Sequence, residues 1–184
     1  MPSNVVKLLQ KLIRIPSVNP DCSPDGEGEA AMANFVQNYL KDINFTVTQE
    51  EVLPNRPNVI GRCPSTTSAK DSRPRILLCP HLDTVSVAGM DMDTFGTISD
   101  DGRILGRGAS DTKGPMAAML QALANCADIL PRLPVAVDFV GFMGEEIGQW
   151  GSKDFAEKHA GDYEFAIVGE PTSLDMVYCT KGSL

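Results

Sequence analysis

Short aliphatic segments alternate along this chain with longer segments of helical periodicity, and this alternation limits the folds that the sequence can adopt. The clearest strand-like segments are residues 75–79, 135–141 and 163–168. Segments with one apolar helical face cover residues 3–15 and 29–41, a stretch that begins near Pro115, and residues 150–159. Helices that cross between strands of one sheet make those strands parallel. The sequence therefore predicts an α/β protein with a mainly parallel central sheet.

His81 and Asp83 follow the aliphatic segment 75–79, after Pro80, which lacks the N–H group that a strand ladder needs. Side chains two positions apart on extended backbone point to the same side. An imidazole can bind a metal through one nitrogen while a carboxylate holds the proton of the other nitrogen. The pair indicates one corner of a metal site, and the alternative is a histidine and an aspartate that cap a turn.

Acidic side chains also follow the other two aliphatic segments. Glu145 and Glu146 come after residues 135–141, Glu170 comes after residues 163–168, and Asp111 stands where a helix is expected to begin. The carboxyl ends of parallel strands line the crevice in which α/β proteins bind ligands. Each carboxylate alone is most often a helix cap or a solvated charge. Their shared position favours one common site.

Glu145 and Glu146 are expected on extended backbone, which would point their side chains apart. One could then bind a cation while the other stays free as a base. Metal-assisted hydrolysis needs this combination, since cations lower the pKa of water and a carboxylate accepts its proton. An acidic loop before a helix N-terminus is the alternative, but it accounts for neither His81 nor Asp111.

The overall composition excludes some partners. The formal net charge of -8 argues against a nucleic acid or an anionic membrane as partner, because either would call for a basic face. The sequence contains neither a signal-peptide pattern nor an apolar run long enough to span a membrane, so a cytoplasmic location is expected. The five scattered cysteines form no C-x-x-C pair and are expected to be reduced, with Cys79 buried in its strand.

Four segments, at residues 80–85, 106–114, 144–146 and 169–172, carry a family resemblance. In this order they resemble motifs of the dinuclear zinc amidohydrolases and peptidases that include acetylornithine deacetylase, succinyl-diaminopimelate desuccinylase, aminoacylase and glutamate carboxypeptidase. The resemblance implies an α/β/α sandwich and metal-dependent hydrolysis of the amide bond of N-acyl amino acids or small peptides. The alternatives are a carboxypeptidase or dipeptidase of the same family and a non-catalytic module that binds a metal or a partner.

The resemblance also implies a set of metal ligands. His81, Asp111 and Glu170 would hold one metal, and Asp111 would bridge to a second metal that Glu146 also binds. Two zinc ions are the family expectation, although cobalt or manganese suits the same nitrogen and oxygen ligands.

The remaining roles follow from the same resemblance. Asp83 would orient His81, and Glu145 would act as general base and then as proton donor to the leaving amine. The peptide bond after Asp111 would be cis. His159 matches no family position and is expected at the surface.

The chain also departs from the family pattern. Family members carry a lid domain after a segment like residues 179–182, and a returning stretch then supplies a last histidine ligand, whereas this chain contains only His81 and His159. The resemblance therefore implies that residues 1–184 are the N-terminal portion of the catalytic domain, inactive alone. A longer form could be a homodimer through its lid domain.

Overall fold

The computed structural model describes residues 4–24, 26–66, 71–91, 93–98 and 101–178. The helices are α1 (Asn4–Ile13), α2 (Ala30–Asp42), α3 (Lys113–Cys126) and α4 (Trp150–His159). The strands are β1 (Thr46–Leu53), β2 (Arg56–Arg62), β3 (Arg75–Cys79), β4 (Thr97–Ile98), β5 (Ile104–Leu105), β6 (Ala136–Gly141) and β7 (Phe165–Val168). Residues 179–182, which the family resemblance singled out, lie outside the described residues.

Five strands form the central sheet in the order β1-β2-β6-β3-β7, and β4 pairs with β5 in a separate ribbon. β3 pairs in parallel with both β6 and β7, whereas the β1–β2 and β2–β6 pairs are antiparallel. The α/β prediction is confirmed, but the sheet is mixed. For β1 and β2 the reason is local: Pro54 and Asn55 form a two-residue turn between these strands, which permits only antiparallel pairing of the two.

Helices cover both faces of this sheet, so the chain is an α/β/α sandwich. Side chains on neighbouring strand positions enter opposite layers, as Val59 and Ile60 do. The layer on the Val59 side contains the apolar faces of α1, α2 and α3, with fully buried residues such as Leu12 and Leu120. The layer on the Ile60 side is smaller and packs against Phe155 of α4.

The parallel half of the sheet positions the site, because β3, β6 and β7 run in the same direction and end at the same edge. β7 forms the outer edge of the sheet, and all four of its side chains are exposed. Over the described ranges, none of the helices is both long and apolar enough to cross a membrane.

Candidate metal centre

Ligand atoms from three separate elements meet at the carboxyl edge of the parallel strands. One atom each from His81, Asp111 and Glu146 lies within 4.8 Å of the other two. His81 Nε2 lies 2.9 Å from Asp111 Oδ1 and 4.0 Å from Glu170 Oε1. The structure thus brings together the four side chains that the sequence proposed as metal ligands.

His81 is held rigidly where β3 leaves the sheet. Its flanking backbone continues the pairing with β6, since Phe142 N donates to Pro80 O at 3.0 Å and Leu82 N donates to Phe142 O at 2.7 Å. The imidazole is buried, and its Nδ1 lies 3.0 Å from the Asp83 backbone oxygen and 3.4 Å from the carboxylate oxygen Oδ1. The backbone carbonyl is therefore the nearer partner of Nδ1. Nε2 is turned toward the carboxylates.

Asp83 joins His81 to the loop that follows β6. Its Oδ1 accepts a hydrogen bond from Glu145 N at 3.0 Å, and its Oδ2 accepts from Glu146 N at 3.1 Å. Asn19 Nδ2 donates to the same Oδ2 at 2.7 Å. Asn19 had not been predicted from the sequence, where its 64-residue separation from Asp83 leaves no local signal.

Glu145 and Glu146 lie in a turn, so the prediction of extended backbone was wrong. Gly144 begins this turn with a φ of 63°, a conformation that glycine adopts without steric cost, and both glutamate amides then point at Asp83. Glu146 Oε1 accepts from Val85 N at 3.1 Å, which directs this side chain toward His81. Glu145 and Glu146 also line a cavity of about 300 Å³.

Asp111 precedes Thr112, the N-cap residue of α3, and the peptide bond between the two is cis, as the family resemblance implied. The Thr112 hydroxyl donates to the backbone oxygen of Gly169. This contact links the start of α3 to the end of β7, so Asp111 and Glu170 reach the same space.

The charges in this space perturb one another. Burial lowers the pKa of His81, but hydrogen bonds to Asp111 and Asp83 outweigh it and raise the pKa to about 10. The His81 hydrogen bond lowers the pKa of Asp111. Burial, reinforced by the neighbouring carboxylates, raises the pKa of Glu170 to about 7 and also raises that of Glu146. Carboxylates crowded in this way are stabilised by positive charge.

The donor set fits a divalent metal. It offers one imidazole nitrogen and several carboxylate oxygens, which suit zinc, cobalt and manganese. Cys79 does not belong to the set, because its side chain is buried in β3 and burial raises the pKa of its thiol to about 12. The cysteines within the described ranges are free, as expected.

His159 was expected at the surface and is instead partly buried. Its ring packs against Phe155 with 4.7 Å between centroids, and its Nε2 lies 3.3 Å from Glu50 Oε1. It therefore belongs to the packing of α4 against the sheet.

The protein is an α/β/α sandwich. At the carboxyl edge of its parallel strands it carries a cluster of imidazole and carboxylate side chains that suits a divalent metal. The sequence model of peptidase family M20/M25/M40 matches residues 77–180, which is more than half of the chain. The chain belongs to this family.

Individual relatives agree with this assignment. The chain is 28% identical over 181 residues to an acetylornithine deacetylase of Proteus mirabilis, covering 97% of this chain and 45% of the relative. It is 35% identical over 165 residues to a probable carboxypeptidase of Aspergillus clavatus, covering 85% of this chain and 35% of the relative. The chain thus spans less than half the length of these curated relatives.

Solved structures show the same fold. An M20 family metallo-carboxypeptidase from Sulfolobus solfataricus superimposes with a TM-score of 0.73 at 25% identity, covering 91% of this chain and 37% of that chain. Human carnosine dipeptidase 1 gives a TM-score of 0.74 at 21% identity, covering 89% of this chain and 38% of that chain.

Proposed function

We propose that this chain provides metal ligands and the catalytic base of a hydrolase that cleaves the amide bond of N-acyl amino acids or small peptides. The observation that carries the proposal is the meeting of His81, Asp111 and Glu146 within 4.8 Å, beside Glu170 and Glu145. Family membership supports the same reaction class. The domain assignment that accompanies the proposal is the N-terminal portion of a longer catalytic domain.

The proposed ligand sets are those that the family resemblance implied. His81, Asp111 and Glu170 would hold one divalent metal, and Asp111 and Glu146 would hold a second. Zinc is the proposed metal, with cobalt or manganese as substitutes. When bound, such cations lower the pKa of water and polarise the scissile carbonyl.

Glu145 is the proposed general base. Glu145 lines the same cavity as the proposed ligand Glu146, and its charge contributes to the raised pKa of Glu170, while its backbone amide is fixed on Asp83. Glu145 accepts a proton from the attacking water as the oxygen bonds to the acyl carbon. It then gives that proton to the amine nitrogen as the C–N bond breaks, so the products are a carboxylate and an amine.

Asp83 has a proposed orienting role. Burial raises its pKa, but the His81 hydrogen bond and the amides of the Glu145 loop more than offset this and lower it overall. The carboxylate therefore stays anionic, which stabilises a proton on His81 Nδ1 and leaves Nε2 for the metal.

Metal titration and turnover test the proposal. We expect the purified chain to bind zinc or cobalt tightly, as measured by calorimetry and by the visible spectrum of cobalt. Hydrolysis of N-acetyl amino acids and dipeptides is assayed with the longest natural polypeptide that contains this chain. Glu145→Gln is expected to lower kcat by about 10²- to 10⁴-fold while metal binding persists. His81→Gln, the matched variant, should lose both.

Two results would contradict the proposal. Full activity in Glu145→Gln would exclude this residue as the base. Tight metal binding without turnover on any amide substrate would favour a non-catalytic metal-binding module.

Peptide-bond hydrolysis by a carboxypeptidase is the second candidate. The observation in its favour is the 35% identity to a protein described as a probable carboxypeptidase, against 28% to the acetylornithine deacetylase. Parallel assays on N-acetyl amino acids and on N-blocked dipeptides distinguish the two, since the bond cleaved identifies the activity.

A further inference from the structure

We propose that Arg56 is the positioning residue that sets the His81–Asp83 pair against the Glu145–Glu146 turn. The inference rests on the proposed metal centre. Arg56 lies at the start of β2 and is 7% exposed. Two chains of hydrogen bonds lead from its guanidinium to the two sides of the site.

The first chain runs through Asn19. Arg56 NH2 donates to Asn19 Oδ1 at 2.9 Å, and Asn19 Nδ2 donates to Asp83 Oδ2 at 2.7 Å. Because the guanidinium can only donate, it holds the amide oxygen of Asn19 toward itself and the NH2 group toward Asp83. Asp21 N donates to the same Oδ1 at 2.9 Å, so Arg56 and this backbone amide together fix which end of Asn19 meets the carboxylate that contacts His81.

The second chain runs through Glu29, which is fully buried. Arg56 Nε donates to Glu29 Oε2 at 2.9 Å and NH2 donates to Oε1 at 2.7 Å. Glu29 Oε1 accepts from Gly144 N at 3.1 Å, so this carboxylate holds the first residue of the turn. The two chains begin at one guanidinium and end at neighbouring parts of the site.

An arginine is required for this geometry. NH1 binds Asp21 Oδ2 at 2.9 Å, so all three nitrogens of the planar fork are engaged at once. A lysine ammonium is a single point of charge and cannot span the same partners. Arg56→Lys should therefore retain the buried charge while loosening the geometry.

Asn58, two residues along β2, provides an internal control. Its Oδ1 accepts from Met143 N at 3.1 Å and its Nδ2 donates to Gly151 O at 2.8 Å. Met143 is adjacent to Gly144 in the chain, yet its amide is held without Arg56. Loss of Arg56 should release Gly144, Glu145 and Glu146 while Met143 stays protected.

Amide hydrogen exchange of the metal-free chain tests the proposal first. In Arg56→Met we expect exchange at Gly144, Glu145 and Glu146 to rise at least about tenfold relative to Met143, since their acceptors lose their anchor. Arg62→Met is the matched control, because Arg62 is also ion-paired on β2 but contacts Asp138 and Asp162. General destabilisation would raise exchange in both variants alike.

Zinc affinity gives the second measurement. We expect about 10- to 100-fold weaker binding in Arg56→Met, a smaller loss in Arg56→Lys and no change in Arg62→Met. In the longest natural polypeptide that contains this chain, Arg56→Met should lower kcat more than it raises KM if Arg56 is a positioning residue. Equal exchange and equal zinc affinity in Arg56→Met and Arg62→Met would overturn the proposal.

A second variant covers the case in which Arg56→Met does not fold. Arg56→Met combined with Glu29→Gln removes the unpaired buried carboxylate and leaves an amide oxygen for Gly144 N. Faster exchange at Glu145 and Glu146 with Gly144 still protected is then expected, and unchanged exchange at all three would contradict the proposal. If the unaltered chain binds no zinc, the proposed metal centre fails, while the exchange comparison still decides the role of Arg56.

Discussion

Asp83 receives more hydrogen bonds than any other proposed site residue described above, and none of its donors is close to it in sequence apart from His81. Its two carboxylate oxygens accept from Asn19 and from the amides of Glu145 and Glu146. The position of His81 and the shape of the β6–α4 turn therefore depend on the same side chain. A substitution at Asp83 should therefore disturb both His81 and the β6–α4 turn.

We predict that Asp83→Asn weakens zinc binding by about 10- to 100-fold and lowers the free energy of unfolding by about 1 to 3 kcal/mol. The reason is that the amide NH2 of asparagine would face N–H donors where a carboxylate oxygen now accepts. Calorimetry gives the affinity and urea unfolding gives the stability.

Asp138→Asn is the control for this prediction. Asp138 is equally buried and accepts from Cys63 N, Arg62 and Arg75, away from the proposed ligands. The Asp138→Asn variant should lose stability and retain zinc affinity. Unchanged zinc binding in Asp83→Asn would remove Asp83 from the orienting role.

At the residue scale, the sequence indicated the candidate ligands through local patterns: His81, Glu146 and Glu170 each follow an aliphatic segment, and Asp111 stands where a helix is expected to begin. It could not indicate Asn19, Glu29 or Arg56, since each is recognisable only through a partner far along the chain. Arg56 and Glu29 are 27 residues apart, and both are residue types normally found at the surface. Burial of a charged pair is a property of tertiary packing.

At the level of elements, the close approach of β6 to the segment that carries His81 and Asp83 depends on Gly141. A Cβ added at Gly141 would lie 2.5 Å from Leu82 Cδ2. Leu82, which stands between His81 and Asp83 in the sequence, is fully buried. The absence of a side chain at Gly141 is therefore what allows Leu82 to enter the core.

We predict that Gly141→Ala lowers the free energy of unfolding by about 1 to 3 kcal/mol, because the added methyl group overpacks the core and displaces Leu82. It should also weaken zinc binding, since His81 and Asp83 flank Leu82. Thermal unfolding and metal titration measure the two effects. Gly161→Ala, where an added Cβ has no atom within 4 Å, should change neither. A fully stable Gly141→Ala would show that Leu82 can move freely.

The amino end of β3 carries a separate ion-pair cluster. Arg73 donates to both carboxylate oxygens of Asp71, at 3.0 and 2.8 Å, and Arg75 adds a bond of 3.1 Å. The hydrogen bond from Arg73 is the largest cause that lowers the pKa of Asp71 to about 2. The unfolded chain therefore binds this proton more readily than the folded chain.

We predict that Asp71→Asn costs about 1 to 2 kcal/mol of stability at pH 6 to 8 and progressively less below about pH 5. The sign follows from the lowered pKa: the contribution is present above the unfolded value, about 3.9, and disappears as the pH falls toward 2. Urea unfolding of both proteins between pH 3 and 8 measures it. The exposed Asp128→Asn serves as control. A difference between Asp71→Asn and the unaltered chain that does not vary with pH would contradict the electrostatic explanation.

The elements themselves were largely predictable, because apolar periodicity and the positions of proline report local structure. The four helices and the strands β3, β6 and β7 lie within a few residues of their predicted places. The order in which the strands pair was not predictable, since β2 lies beside β6 and β6 beside β3 through contacts distant in sequence. The antiparallel pairing of β2 with β6 belongs to that order, whereas the antiparallel pairing of β1 with β2 follows from the local turn.

For the whole molecule, the crowded carboxylates at the site oppose folding until a cation neutralises them. We predict that zinc at about 100 times its Kd adds about 2.7 kcal/mol to the free energy of unfolding. For a chain of this length, the shift in Tm is about 5 to 11 °C. Calorimetric scans with zinc and with a chelator measure this shift. His81→Gln is the control and should show a much smaller one, whereas an equal shift would place the metal elsewhere.

The edge position of β7 has a kinetic consequence. β7 pairs with β3 along one side and leaves its side chains exposed, so its opening breaks fewer hydrogen bonds and exposes less buried apolar surface than the opening of β3 or β6 would. Local opening of β7 therefore costs less free energy. Glu170 follows β7, whereas His81 and Glu146 follow the more interior strands β3 and β6. In the chain of 184 residues, the carboxylate of Glu170 should therefore detach from a bound metal more often than His81 or Glu146 does. The ligands of one cleft would then differ in how long each stays bound.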